Sequence, residues 1–326
     1  MRLKSALRRG VAAAVIAGIV VSSGIPAYAI RWDIADGDIT VKAGDEGTNR
    51  VTQGKKENVE DTDTVITGKS KEHTVTIDTS KGNVDVTFDD LKIDVSGKAE
   101  GDVSGKTEVD GSDDSPVDAG KAAVTVQGDH DATIELDGDN KLKSGSGNAG
   151  LEKNKHESKG TLTIKDDKGK DGSLTAEGGE GGAGIGGGAE RTGSNITIRG
   201  GTIEAVGGSN AAGIGDGAGR ASDDTDDPNP GDLYICGDAE VTAKAGSQMT
   251  DAKAPAIGGS YGEVPTENLS DDEHKVTGGR LTRLNADGTV MEGMGYDYTS
   301  TPTPQPDDDD VPPPAQENAP EPLPGG

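Results

Sequence analysis

The chain is 326 residues long, with a formal net charge of −27 and one cysteine. A balance that acidic repels nucleic acid and anionic membranes, and a lone thiol excludes an internal disulfide. Apolar residues make up 30 % and aromatic residues 2 %, a composition near that of unfolded chains, so patterning decides whether a core forms.

Met1–Ala29 reads as a secretory signal peptide. Arg2, Lys4, Arg8 and Arg9 supply a positive start, Val11–Val21 is unbroken apolar sequence, and Ala27-Tyr28-Ala29 has the small-x-small form of a cleavage site. The apolar stretch is shorter than the roughly 20 residues a spanning helix needs. The expectation is a mature chain from about Ile30, secreted or at the surface of a Gram-positive-like bacterium, with no membrane segment after cleavage. No cysteine follows the cleavage point to take a lipid.

From Ile30 onward, short runs alternate apolar and polar residues. They include Val75–Ile77, Val84–Phe88, Leu91–Val95, Val124–Val126, Ile134–Leu136, Leu162–Ile164, Ile196–Ile198 and Val241–Ala243. Each is bounded by Gly, Asp, Asn or Ser, which is strand patterning with turn punctuation. Cys236 falls in such a run, Leu233–Cys236, and reads as an ordinary strand position. No helical period appears after the leader.

A longer period sits on top of the short one. "LTIKDDKGKDGSLTAEGG", "ITIRGGTIEAVGG" and "LYICGDAEVTAKAG" share one plan, and a glycine hook follows each: Gly184-Ile185-Gly186, Gly213-Ile214-Gly215 and the variant Ala256-Ile257-Gly258. Repeats of about 20–50 residues mark stacked architectures. The spacing predicts an all-β, single-stranded, right-handed parallel β-helix with three strands per coil, for instance Ile196–Ile198, Thr202–Ala205 and Ala211–Ile214. Ile196, Ile198, Ile203, Ala205 and Ile214 then point inward, Thr197, Thr202 and Glu204 outward, and the hook is a repeated corner.

One domain is expected over residues 30–298, with about ten coils. Lys98–Gly120 is a polar loop and Ala221–Asp232 an acidic insertion. From Thr299 the chain is rich in proline and aspartate and reads as an extended solvated tail. The tail resembles wall-spanning segments of Gram-positive surface proteins, yet it stops at Leu323-Pro324-Gly325-Gly326 without a complete sorting signal, so either release or a shortened product is expected.

Catalytic and cofactor signatures find little support. The hooks Gly184–Ala189 and Gly213–Ala218 spell a dinucleotide-type G-x-G-x-x-A, but neither is followed by helix-forming sequence. Gly258–Gly262 spells G-x-S-x-G without the helix and the spaced acid and histidine of a nucleophile elbow. His73, His130, His156 and His274 lack metal-ligand spacing. The acidic stretches Gly128–Asp131, Asp137–Asn140 and Asp223–Asp232 are dense in hard oxygen donors. Two readings stand for them: solvated loops, or a calcium site, for which Asp223, Asp224, Asp226, Asp227 and Asp232 are the candidates.

The wording of Ile30–Val41 ("IRWDIADGDITV"), Thr64–Gly68 ("TVITG"), Ala132–Glu152 and the "AGIGGG…ITIRGGTIEAVGG" repeat resembles the secreted bacterial β-helix proteins described as carbohydrate-binding domain-containing. The resemblance covers most of residues 30–260. It implies a pectin-lyase-like right-handed solenoid and, from the best understood relatives, binding of acidic plant polysaccharide with calcium. No ligand residue of those relatives matches a position here, so none is carried over.

The expectation is therefore a non-catalytic, monomeric protein that binds a polysaccharide or a host or cell-wall glycan, with no nucleic-acid partner and no cofactor beyond calcium. A structural stalk and a polysaccharide lyase or hydrolase are the alternatives. Against the glycan reading, aromatic platforms for sugar rings are scarce.

Overall fold

The computed structural model describes residues 30–45, 47–97, 120–169, 171–219, 232–247, 254–259, 262–263, 274–291 and 296–298. The expected leader at 1–29, the expected loop at 98–119, most of the expected 221–232 insertion and the expected tail from 299 lie outside the described residues.

The fold is a parallel β-helix, as the sequence predicts. One coil shows how it is built. Leu162–Lys165 leads to Ser173–Glu177 and then to Ile185–Gly186. The next strand, Ile196–Ile198, returns to lie parallel against Leu162–Ile164. Three faces result. The first runs from Val84 through Ala132, Leu162, Ile196 and Leu233 to His274, with these residues in register. The second carries Leu142, Ala176, Ala205 and Ala243 in one row. The third stacks Ile39, Val75, Val124, Leu151, Ile185, Ile214 and Ile257. The long strand Val84–Asp94 joins the first two faces, and Asp90 within it has a positive φ of 53°. A right-handed wind is the hand that parallel crossovers take in nearly all cases.

The register explains the core. Strand side chains alternate, so unshifted stacking places like on like. Val86, Ile134, Ile164, Ile198, Ile235 and Val276 form one buried column of the first face. Each such side chain contributes about 1.5–3 kcal/mol on burial. Among the described residues, the buried aromatic rings are Trp32 and Phe88, both near the start. On the second face the column narrows to Ala176, Ala205 and Ala243, and ends on the fully buried Arg283. A charge turned inward at that point ends the apolar column.

The first coil is closed by antiparallel strands, Asn49–Gln53 and Lys56–Asp61, folded back from Ile39–Ala43. A solenoid needs such a cap, because its terminal coil has no neighbour. Buried polar groups fix it. The Trp32 indole N–H donates to the Asp61 carboxylate at 2.8 Å. Asn49 donates to Thr64 Oγ1 and the Asp85 carbonyl at 2.9 and 2.7 Å. Lys56 Nζ lies 5.2 Å from the Trp32 ring centre, a cation over the aromatic face.

Two expectations need correction. The third strand of the coil is Ile214–Gly215, not Ala211–Ile214. The hook closes on itself, because Ala212 N–H donates to the Asp216 carbonyl at 3.1 Å and Ala183 N–H to the Gly187 carbonyl at 3.0 Å, which bends the residues before the strand into a turn. The hook is thus a whole face of the coil rather than a corner. The described third face also has fewer rungs than ten, since residues 49–61 form the cap and the stretch from Val75 to Val124 makes a single step.

Candidate functional site

The first face turns polar side chains outward in register. Asp85, Thr133, Thr163, Thr197 and Tyr234 form one row across successive coils. Thr87, Glu135 and Lys165 form the row beside it, and Arg199, whose N–H donates to the Ile164 carbonyl at 2.8 Å, continues it. Asp85, Thr133 and Thr163 of the first row and Thr87, Glu135, Lys165 and Arg199 of the second line a groove of about 410 Å³, together with Thr62–Thr64 and Lys168.

Glu135 is the fixed point of this groove. It is only 4 % exposed. Its Oε1 accepts from Asp167 N–H at 2.9 Å and Lys168 N–H at 2.7 Å, so the carboxylate holds the turn that follows Leu162–Lys165. Its Oε2 is buried and has no hydrogen-bond partner among the described residues; Lys165 Nζ stands 3.6 Å away. Lys165 donates at 2.8 Å to Asp167 Oδ2. Burial opposes its charge, but the contacts to Asp167 and Glu135 outweigh burial and hold the ammonium above the usual lysine range.

Two further cations edge the groove. Lys168 Nζ lies 3.3 Å from Asp63 Oδ1. Arg199 is exposed. Its charge reaches the half-buried Cys236 thiol, which burial pushes up and the guanidinium pulls back only in part. Tyr234 extends the threonine row and is half-exposed. Trp32 and Phe88 are buried, so Tyr234 is the aromatic ring this face offers among the described residues.

The calcium candidates are placed differently. Asp223, Asp224, Asp226 and Asp227 lie outside the described residues. Asp232 is half-buried, and its carbonyl accepts from Ile196 N–H at 2.9 Å, so its backbone is part of a rung. Among the described residues, no group of three or more His, Cys, Asp and Glu is arranged to hold a metal ion. Two other acidic stretches have structural partners. Asn140 is fully buried, accepts from Leu91 N–H at 2.9 Å and donates to the carbonyls of Asp137 and Ser173, both at 3.1 Å. Asp139 pairs with Lys92 at 2.8 Å, and Asp129 lies 3.7 Å from Lys159. Both dinucleotide-like hooks are strand and turn with no helix after them among the described residues.

Sequence reasoning did not single out Glu135, Lys165, Lys168, Arg199 or Tyr234. The signal was present in four aligned tetrads: Ala132-Thr133-Ile134-Glu135, Leu162-Thr163-Ile164-Lys165, Ile196-Thr197-Ile198-Arg199 and Leu233-Tyr234-Ile235-Cys236. Their second and fourth positions are the two outward rows.

A family model for the β-helix repeat matches residues 170–189 and 196–218, the two glycine hooks and the coil between them. No curated protein and no solved structure matches the chain.

Proposed function

We propose that this β-helix repeat protein is an exported, non-catalytic glycan-binding protein whose polar groove on the first face holds a polysaccharide chain. The observation that carries the reading is the groove itself: outward hydroxyls of Thr133 and Thr163 on successive coils, set beside the charges of Glu135, Lys165, Lys168 and Arg199. Rungs repeat at roughly 4.8 Å. A floor that offers the same hydroxyl on each rung suits a polymer that offers the same hydroxyl on each unit. Small-molecule pockets are predominantly apolar in lining, and this one is not. Tyr234 supplies an aromatic face at the end of the threonine row. The basic and apolar leader supports export.

The test is a polysaccharide array with the purified chain, followed by calorimetry on any ligand found, with calcium and with chelator. Binding that weakens when Thr163 or Arg199 is replaced by Ala supports the groove reading. An array without a hit sinks it and leaves a structural stalk. Release of reducing ends or unsaturated products from a bound polysaccharide would overturn the non-catalytic part.

A further inference from the structure

A second cluster lies on the turn after the third face, away from the groove. Leu151–Glu152 pairs with Ile185–Gly186 above and with Val124–Thr125 below. Where Glu152 stands, the following coils have Gly186, Gly215 and Gly258. Glu152 thus puts a side chain at a position that the following coils keep as glycine, and it is only 8 % exposed. Its Oε2 accepts from Ala149 N–H at 3.2 Å. Its Oε1 accepts from Asn154 Nδ2 at 3.3 Å, and the same nitrogen donates to Glu157 Oε2 at 3.1 Å. The other end of the amide, Asn154 Oδ1, accepts from Gly188 N–H at 3.0 Å, on the coil above. That bond fixes which way the amide points.

We propose that Glu152, Asn154 and Glu157 form a proton-operated clasp between two coils, closed while the buried Glu152 keeps its proton and loosened when it ionises. Both carboxylates take the same amide nitrogen, Glu152 from a buried position and Glu157 from an exposed one, and a buried carboxylate beside a like charge resists ionisation. The charged groups facing Glu152 are Glu157 on its own turn and Arg191 on the turn above; its register neighbours, Thr125 and Gly186, are neutral. Lys153 sends its ammonium to the Ser158 carbonyl at 2.9 Å. Burial first, then the Glu157 charge, push the Glu152 carboxyl up to about 7, against the Ala149 and Asn154 hydrogen bonds and the Arg191 charge. The clasp would then work across neutral pH, where an exported protein meets real variation.

The experiment uses the whole chain. Amide exchange at Gly188, corrected for its intrinsic pH dependence, is followed from about pH 5 to about pH 8.5 with Ile214 as an internal reference. One proton's worth of coupling per pH step gives up to a tenfold change per unit. Gly188 should lose protection across the transition while Ile214 holds, and Glu152→Gln should flatten the response. Constant protection in the wild type, or the same loss in Glu152→Gln, overturns the clasp. If that variant does not fold, carboxyl-carbon NMR of the wild type decides alone: a Glu152 carboxyl that titrates in the ordinary carboxylate range overturns it.

Discussion

Glu135 and Lys165 are register partners on adjacent coils, and their charged atoms stand 3.6 Å apart on the floor of the polar groove. Their commitments differ. The glutamate uses one oxygen to hold two backbone N–H groups of the Asp167–Lys168 turn, and the lysine makes its shorter contact to Asp167. The second glutamate oxygen is buried beside Lys165 with no hydrogen-bond partner among the described residues, so one side chain both holds the wall and carries an unused acceptor beneath the floor.

Glu135→Ala should therefore cost stability as well as ligand. Two backbone donors of the exposed Asp167–Lys168 turn lose their acceptor, and with water able to replace part of it the loss should be about 1 kcal/mol. Urea unfolding checks the loss. Glu135→Gln keeps an acceptor for the turn and should recover most of it.

Arg199→Ala should behave in the opposite way. The side chain is exposed, so unfolding should shift by no more than about 0.5 kcal/mol. Binding of an anionic glycan, if the groove takes one, should weaken at least several-fold by calorimetry, and the loss should shrink as salt is raised.

Glycine replacements separate crowding from backbone strain. Gly147 has a φ of +83° and open space where a Cβ would stand, so Gly147→Ala meets only conformational strain, about 1–2 kcal/mol. Gly215 has a φ of +133°, and a Cβ there would run into the carbonyl oxygen of Gly258 on the next coil. Gly215→Ala should cost at least twice as much in thermal or urea unfolding. Equal losses would mean that the rungs part easily.

Two neighbours should place a stability minimum near neutral pH. Burial raises the Glu152 carboxyl to about 7, so between about 4.5 and 7 the folded chain keeps a proton that the unfolded chain has released, and stability falls as pH rises. Burial lowers the Lys153 ammonium to about 8, so from about 8 to 10.5 the unfolded chain holds the extra proton, and stability rises with pH. The trough lies between, with walls on the order of 3 kcal/mol at most. Unfolding midpoints against pH should show it; Glu152→Gln should remove the acid wall and Lys153→Met the alkaline one.

Much of this architecture is legible in the sequence, and for a physical reason. In tetrads such as Leu162–Lys165 the period of two assigns each residue to core or surface, and the recurrence of Ile185 and Ile214 fixes the rungs that stack. The groove is harder to read. Glu135, Lys165 and Arg199 are far apart in sequence and become neighbours only once tetrads are superposed in register. The hook misleads because Gly186 and Gly215 look like punctuation after their isoleucines, whereas each pair Ile–Gly is the strand. Asn154 gives no signal at all, because its importance lies in what its amide touches on two coils.

Between neighbouring coils, the sheet hydrogen bonds run along the axis of the molecule. Tension applied between its two ends would meet the coil junctions in series, and a series fails at its weakest link rather than at the sum of its parts. In mechanical terms the glycine-hook coils, whose backbones nest with no side chain between them, are one kind of joint. The junction that carries Glu152 beneath Gly188 is another, and a stretched molecule would part first at whichever of the two is weaker at the prevailing acidity.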